Sequence, residues 1–114
     1  MSITKDSCVF CKKFDGVDPT VDVIGFEPLN PVTPGHWLIV PRKHVTDYTQ
    51  DLEVTAEVMK WAAELGRKHS NSNLITSNGK YATQSIRHLH VHIVPRRAND
   101  GLHLPWTNQL KGEL

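Results

Sequence analysis

The chain has 114 residues, of which 39% are hydrophobic and 22% charged, and a formal net charge of +1. That size and balance suit one globular domain over residues 1–114, and they exclude a disordered chain or one drawn to nucleic acid by long-range charge. No stretch approaches the roughly 20 apolar residues that cross a bilayer, and "MSITKDSCVF" lacks the apolar run of a signal peptide, so the expected setting is cytoplasmic with no membrane partner.

The segment Met1–Pro19 holds the only two cysteines, Cys8 and Cys11, in "CVFC". In a reducing compartment that spacing suits a metal or redox pair more than a structural disulfide. "TVDVIGFE" (Thr20–Glu27) alternates loosely and is rich in β-branched residues, which predicts a strand, and the prolines and glycine of "PLNPVTPG" predict a loop. "HWLIVP" (His36–Pro41) predicts a second strand, nearly all apolar and therefore central. Leu52, Val58, Met59, Ala62 and Leu65 then recur at helical spacing; Asp51 or Thr49 can cap the start, and Gly66 lies near the end. "NLITSN" (Asn73–Asn78) and "SIRHLHVHIVP" (Ser85–Pro95) predict two further strands with a turn at "GKYAT", and Arg96–Leu114 is a tail without clear periodicity. Short strands pairing in order around one long helix give an α+β class with a mostly antiparallel sheet.

The stretch "IRHLHVHIVPRR" places three of the seven histidines, His88, His90 and His92, at alternate positions. On a strand they share one face, while Leu89, Val91 and Ile93 turn to the core. Neighbouring imidazoles then stand roughly 6.6 Å apart along the strand, the scale of a phosphate and its substituents. A neutral imidazole is a nucleophile at pH 7, and a protonated one is a donor and cation for phosphoryl oxygens. Neutral imidazole is also the commonest nitrogen ligand of zinc, so the row suits a catalytic zinc site as well. The plain alternative, a solvated strand face, is more naturally filled by Thr, Lys or Glu than by three titratable rings.

"HLHVHIVPR" resembles the His-x-His-x-His signature of the histidine triad (HIT) family of nucleotide hydrolases and transferases. "NGKYATQSIRHLHVH" is similar to the family's segment leading into the triad. "NPVTPGHWLIVPRKHV" resembles its Pro-Gly-His-aliphatic-Pro-Lys-x-His element, and "CVFCK" resembles the N-terminus of its zinc-containing, bacterial-type members. The resemblance implies a HIT-like fold of about five strands, one long helix and a shorter helical segment.

Position by position, the resemblance implies that His90 attacks the α-phosphorus of a nucleotide and forms a covalent nucleotidyl-histidine that water resolves. For that attack one ring nitrogen must be bare while the other donates to a fixed partner, a nearby backbone carbonyl in the family. His92, Gln84, Ser85 and Asn78 are expected at phosphoryl oxygens or the leaving atom, with His36 beside the triad as a fourth histidine and Phe26, Leu29 and Ile24 as apolar nucleoside lining. Cys8, Cys11, His44 and His88 are implied as a structural zinc site, its closed four-ligand shell setting it apart from a water-activating metal. The resemblance also implies a homodimer, with Trp61 and Trp106 as core or interface aromatics and the tail closing over an active site. His103 reads as a surface residue. Three positions depart from the family: Pro28 stands where an Asp or Asn holds the ribose hydroxyls, Thr83 stands where relatives often have Gly, and Ser77 stands where many have Asn. A non-catalytic nucleotide- or zinc-binding module on the same scaffold is the alternative to an enzyme.

Overall fold

The computed structural model describes residues 7–105, so expectations for Trp106 and the end of the tail lie outside the described residues. In chain order it contains α1 (Val9–Lys12), β1 (Val23–Phe26), β2 (Trp37–Pro41), α2 (Leu52–Gly66), β3 (Ser72–Ile75), a 3-10 turn (Lys80–Ala82) and β4 (Val91–Pro95). The strands form one antiparallel sheet in the order β1-β2-β4-β3. Among the described residues there are thus four strands instead of about five, and they do not pair in chain order. β2 and β3 both run antiparallel to β4 and so parallel to each other. Parallel strands need a crossover, which α2 supplies, and the gap between them receives β4.

Three strand boundaries are narrower than the sequence implies, each for a local reason. Asp18 accepts hydrogen bonds from both the backbone N–H and the hydroxyl of Thr20 at 2.8 Å, and this turn keeps Thr20–Asp22 out of β1. Beyond Ile75 the Thr76 hydroxyl donates to the His90 carbonyl at 2.7 Å, replacing a ladder bond by a side-chain one. Pro41 ends β2 with no N–H to offer, and pairing with β4 reaches only Ile39↔Val91. Residues Ser85–His90, expected inside the fourth strand, therefore precede it: Leu89 donates its N–H to the Val45 carbonyl at 2.7 Å instead.

The alternation of side chains nevertheless holds through the triad. Leu89, Val91 and Ile93 are fully buried with Ile39, Val45, Val58 and Ala62 between the sheet and α2. Each of the Leu, Ile and Val side chains contributes about 1.5–3 kcal/mol by leaving water. Asp51 caps α2, its carboxylate accepting from the Val54 N–H at 3.2 Å and from Lys43 Nζ at 2.8 Å. Thr49, the other cap candidate, is bound to the Asp47 carboxylate. On the opposite face Cys8, Phe10, Phe14, Leu38 and Val40 form a second cluster, so the N-terminal loop is packed onto the sheet on the histidine side.

α2 lies over β1, β2 and β4. β3 forms an edge, and its Leu74 and Ile75 are 37% and 40% exposed. Trp61 is not a core residue: its ring is half exposed, its indole N–H donates to Glu57 at 3.0 Å, and it lines an open apolar groove with Trp37 and Gly25.

Candidate active site and metal centre

Cys8, Cys11, His44 and His88 converge from three parts of the chain, with one ligand-type atom of each within 4.8 Å of all the others. His88 Nδ1 stands 3.4 Å from Cys8 Sγ, 3.5 Å from Cys11 Sγ and 3.2 Å from His44 Nδ1, and His44 Nδ1 is 3.2 Å from Cys11 Sγ. Ligands around tetrahedral zinc, at roughly 2.0–2.3 Å from the metal, lie about 3.3–3.8 Å from one another, so these residues fit a thiolate–imidazole metal site. His88 Nε2 is 2.8 Å from the Pro41 carbonyl. A carbonyl only accepts, so Nε2 carries the proton and Nδ1 presents a bare lone pair to the two sulfurs. A cation at the centre would take the two thiolates and the two imidazole nitrogens as its ligands. His88 is fully buried, and burial pushes its pKa down to about 4, which favours the neutral ring a metal requires.

His90 lies outside this cluster. Its Nδ1 is 2.7 Å from the carbonyl of His88, so Nδ1 donates and Nε2 keeps a free lone pair. The carbonyl is available because residues 85–90 make no strand ladder. Burial lowers the pKa of His90, partly opposed by this hydrogen bond, which favours the neutral ring.

His92 and His36 form a second chain of fixed tautomers. The Val32 N–H donates to His36 Nδ1 at 3.0 Å, so the His36 proton sits on Nε2 and points at His92 Nδ1, 2.9 Å away. His92 Nδ1 therefore accepts, and its own N–H is on Nε2. The ring offers a neutral donor instead of a cation: burial, followed by the nearby His90 and His36, pushes its pKa down to about 4, and burial also lowers that of His36. The rings of His90 and His92 are 5.2 Å apart, and those of His36 and His92 are also 5.2 Å apart. The structure thus brings His36, His90 and His92 into one contiguous group, adjoining the metal cluster through His88.

The remaining expected residues are placed less uniformly. Gln84 is buried and its amide is committed within the protein. Nε2 donates to the carbonyls of Thr46 (2.6 Å) and Ile86 (3.1 Å), while Oε1 accepts from the Gly79 N–H (2.9 Å) and from Arg87 (3.0 Å). Here Gln84 braces the loop, and it has no hydrogen-bonding group left for a phosphoryl oxygen. Ser85 and Asn78 are exposed, as is His103. Phe26 is half-buried against Phe10, whereas Leu29 is 98% exposed and lines nothing in the described structure. Thr83 has φ 65° and ψ 26°, which explains why glycine suits this position: the backbone is left-handed there.

The resemblance implied a backbone carbonyl beside His90, which is that of His88, but the Pro41 carbonyl and the Val32 N–H were not named, because backbone partners leave no trace in residue identity. Sequence reasoning also passed over Phe10, whose ring meets those of His90 at 5.1 Å, Phe26 at 5.6 Å and His88 at 6.0 Å; its position between the two cysteines was the available signal.

Residues 19–99 match the family model described as the HIT domain. The chain is 32% identical over 111 residues to a HIT-like protein of Methanocaldococcus jannaschii, covering 82% of each chain. It is 31% identical over 114 residues to an adenosine 5'-monophosphoramidase of Saccharomyces cerevisiae, covering 90% of this chain and 72% of the relative. Among solved structures it is similar to a HIT family protein from Bacillus anthracis, with a TM-score of 0.78, 28% identity and coverage of 92% and 84% of the two chains. A HIT family hydrolase from Clostridium thermocellum aligns with a TM-score of 0.70 and 27% identity, over 82% of this chain and 94% of that one. The family-model match over most of the chain and the relatives above 30% identity establish that this chain belongs to the HIT family.

Proposed function

We propose that the chain is a nucleotide hydrolase or nucleotidyl transferase that cleaves at an α-phosphorus through a covalent intermediate on His90. The observation that carries this reading is the 2.7 Å contact between His90 Nδ1 and the His88 carbonyl, which leaves Nε2 as a neutral nucleophile. Nε2 attacks phosphorus and the bond to the leaving group breaks, the leaving group departing with the bonding pair and a proton taken from solvent; water then attacks the same phosphorus, the bond to Nε2 breaks with its electron pair returning to nitrogen, and the proton that water loses goes back to solvent. His92 presents its Nε2–H, oriented by His36, to a phosphoryl oxygen whose charge grows in the transition state. Ser85, exposed ahead of the triad, takes the role of the hydroxyl that meets the bridging or leaving atom. The substrate class is a nucleoside phosphoramidate, a dinucleoside polyphosphate or a related nucleotide. The phosphoramidase name of the yeast relative supports the first of these.

Cys8, Cys11, His44 and His88 hold zinc in a structural role, since all four positions of a tetrahedral shell are filled by protein and His90 and His92 stand outside it. Bound there, zinc would tie the N-terminal loop to the sheet. The active unit is a homodimer that uses the β3 edge of the sheet, where Leu74 and Ile75 are exposed. The setting is cytoplasmic; no helix among the described residues is long and apolar enough to cross a membrane.

The test is incubation of the wild type and His90→Ala with a fluorogenic nucleoside phosphoramidate. Turnover that falls by at least about a thousandfold in His90→Ala is expected. Full activity in the variant sinks the mechanism, and no turnover by the wild type on a broad panel favours the binding-module alternative.

A further inference from the structure

The loop that carries the two cysteines carries Phe10 between them, and Phe10 is 5% exposed. Its backbone is held on both sides: the Cys11 N–H donates to Cys8 Sγ at 3.4 Å and the Lys12 N–H to the Cys8 carbonyl at 3.1 Å. From that position the ring packs in T-shaped contacts with three others. It meets His90 at a centroid distance of 5.1 Å and an interplanar angle of 71°, His88 at 6.0 Å and 88°, and Phe26 at 5.6 Å and 61°.

The Cβ–Cγ bond and the Nδ1 hydrogen bond to the His88 carbonyl together set the orientation of the His90 ring, leaving it the libration that one hydrogen bond allows. A T-shaped aromatic contact narrows that libration. We propose, building on the nucleophilic role of His90, that Phe10 is a positioning residue: the metal-binding loop seats it against His90 and thereby fixes the plane in which Nε2 attacks. The metal site and the reaction centre are then joined by a side chain as well as by the backbone of His88–His90. A nucleophile aligned in advance keeps its reacting atoms in near-attack geometry, and a displacement on the order of 1 Å costs roughly a hundredfold in rate.

Phe14 provides the control. It belongs to the same buried cluster and is equally buried, but its ring faces the Arg42 guanidinium at 4.7 Å. Phe10→Leu and Phe14→Leu therefore make similar losses of packing on one loop, and only the first touches His90. With zinc-loaded, folded protein and the fluorogenic phosphoramidate, Phe10→Leu is expected to lower kcat roughly ten- to a hundredfold with KM within about twofold, while Phe14→Leu keeps the wild-type kcat. Zinc content measured by elemental analysis stays unchanged in both. The ring-proton resonances of His90 shift in Phe10→Leu alone, and in the wild type they show nuclear Overhauser contacts to the Phe10 ring; this last measurement needs no variant to fold.

Equal kcat values in the two variants, whether both normal or both lowered, overturn the proposal, as does the absence of Phe10–His90 contacts in the wild type. An active His90→Ala variant would instead refute the nucleophile assignment, while the resonance measurements would still report whether Phe10 holds His90.

Discussion

Thr83→Gly is the substitution whose effect follows most directly from the geometry. The loop before the triad turns through the 3-10 segment Lys80–Ala82 and returns at Thr83, whose N–H donates to the Lys80 carbonyl at 3.1 Å, while the Gln84 N–H reaches the Gly79 carbonyl at 3.0 Å. This return holds Thr83 at φ 65°. A left-handed conformation costs an L-residue roughly 1–2 kcal/mol, with a β-branched side chain at the upper end. Asn99, at φ 61°, is of a type that tolerates such a conformation; Thr83 is not. Glycine removes the strain but adds about 0.5–1 kcal/mol of unfolded-chain entropy. The Thr83 hydroxyl bonds only its neighbour's carbonyl, Ala82 O, and is exposed, so its loss matters little. The balance is a stabilisation of about 1 kcal/mol, equivalent to a rise of about 4 °C in Tm for a domain of this size. Thermal and urea unfolding of Thr83→Gly and Thr83→Ala measure it; the alanine variant keeps the strained φ and is expected to stay within about 0.5 kcal/mol of wild type. A lowered Tm for the glycine variant would show that the threonine makes contacts outweighing its backbone strain. A raised Tm with lost turnover would assign the strain to function.

Cys11→Ser is expected to lose the metal, read by elemental analysis, together with a fall in Tm of more than 10 °C. Chelator added to the wild type should stop turnover only as fast as the fold opens, whereas immediate inhibition would point to a catalytic metal. Gln84→Ala removes four hydrogen bonds from a buried amide and should cost about 2–4 kcal/mol in urea unfolding, while Ser85→Ala, at an exposed position, should leave stability unchanged and lower turnover. Stability should also fall in acid. The folded-state pKa of His92 lies at about 4 against an ordinary 6.5, so between these values the unfolded chain binds the extra proton. This part of the stability is complete above pH 6.5 and is lost as pH drops toward 4. The span corresponds to about 3 kcal/mol for a fully buried ring, and the partial exposure of His92 reduces the expected loss to about 1–2 kcal/mol. Urea midpoints that stay flat between pH 7 and 4 would contradict the tautomer chain from Val32 through His36 to His92.

The legible parts of this fold were those written in side-chain periodicity. Leu89, Val91 and Ile93 announced a buried face, the apolar stripe of α2 with Asp51 ahead of it announced a capped helix, and both readings hold even though the strand around the triad is half as long as its pattern. Strand length failed because it depends on which backbone groups find partners. Pro41, Asp18 and Thr76 settled that by removing a donor or by offering a side chain to the backbone, and a residue pattern does not encode such choices. The order β1-β2-β4-β3 was also hidden, since hydrophobic alternation says which face is buried and not which strand lies alongside.

The same distinction runs through the candidate site. Its residue types were readable at Cys8, Cys11, His44, His88, His90 and His92, and the resemblance implied a backbone carbonyl behind His90, but the protonation states of His88, His36 and His92 were not readable, because each is set through an atom of the main chain. Pro41 fixes His88, His88 fixes His90, and Val32 fixes His36 and through it His92. These three main-chain contacts give the equal-looking imidazoles of "HLHVH" different free nitrogens: Nδ1 for the metal, a bare Nε2 for attack, and a protonated Nε2 for donation. Had residues 88–90 continued as regular strand, the His88 carbonyl would have been drawn into the sheet ladder and the His90 proton would have had no fixed acceptor. The start of β4 at Val91, after His88 and His90, is therefore part of what separates a row of similar histidines into a ligand, a nucleophile and a donor.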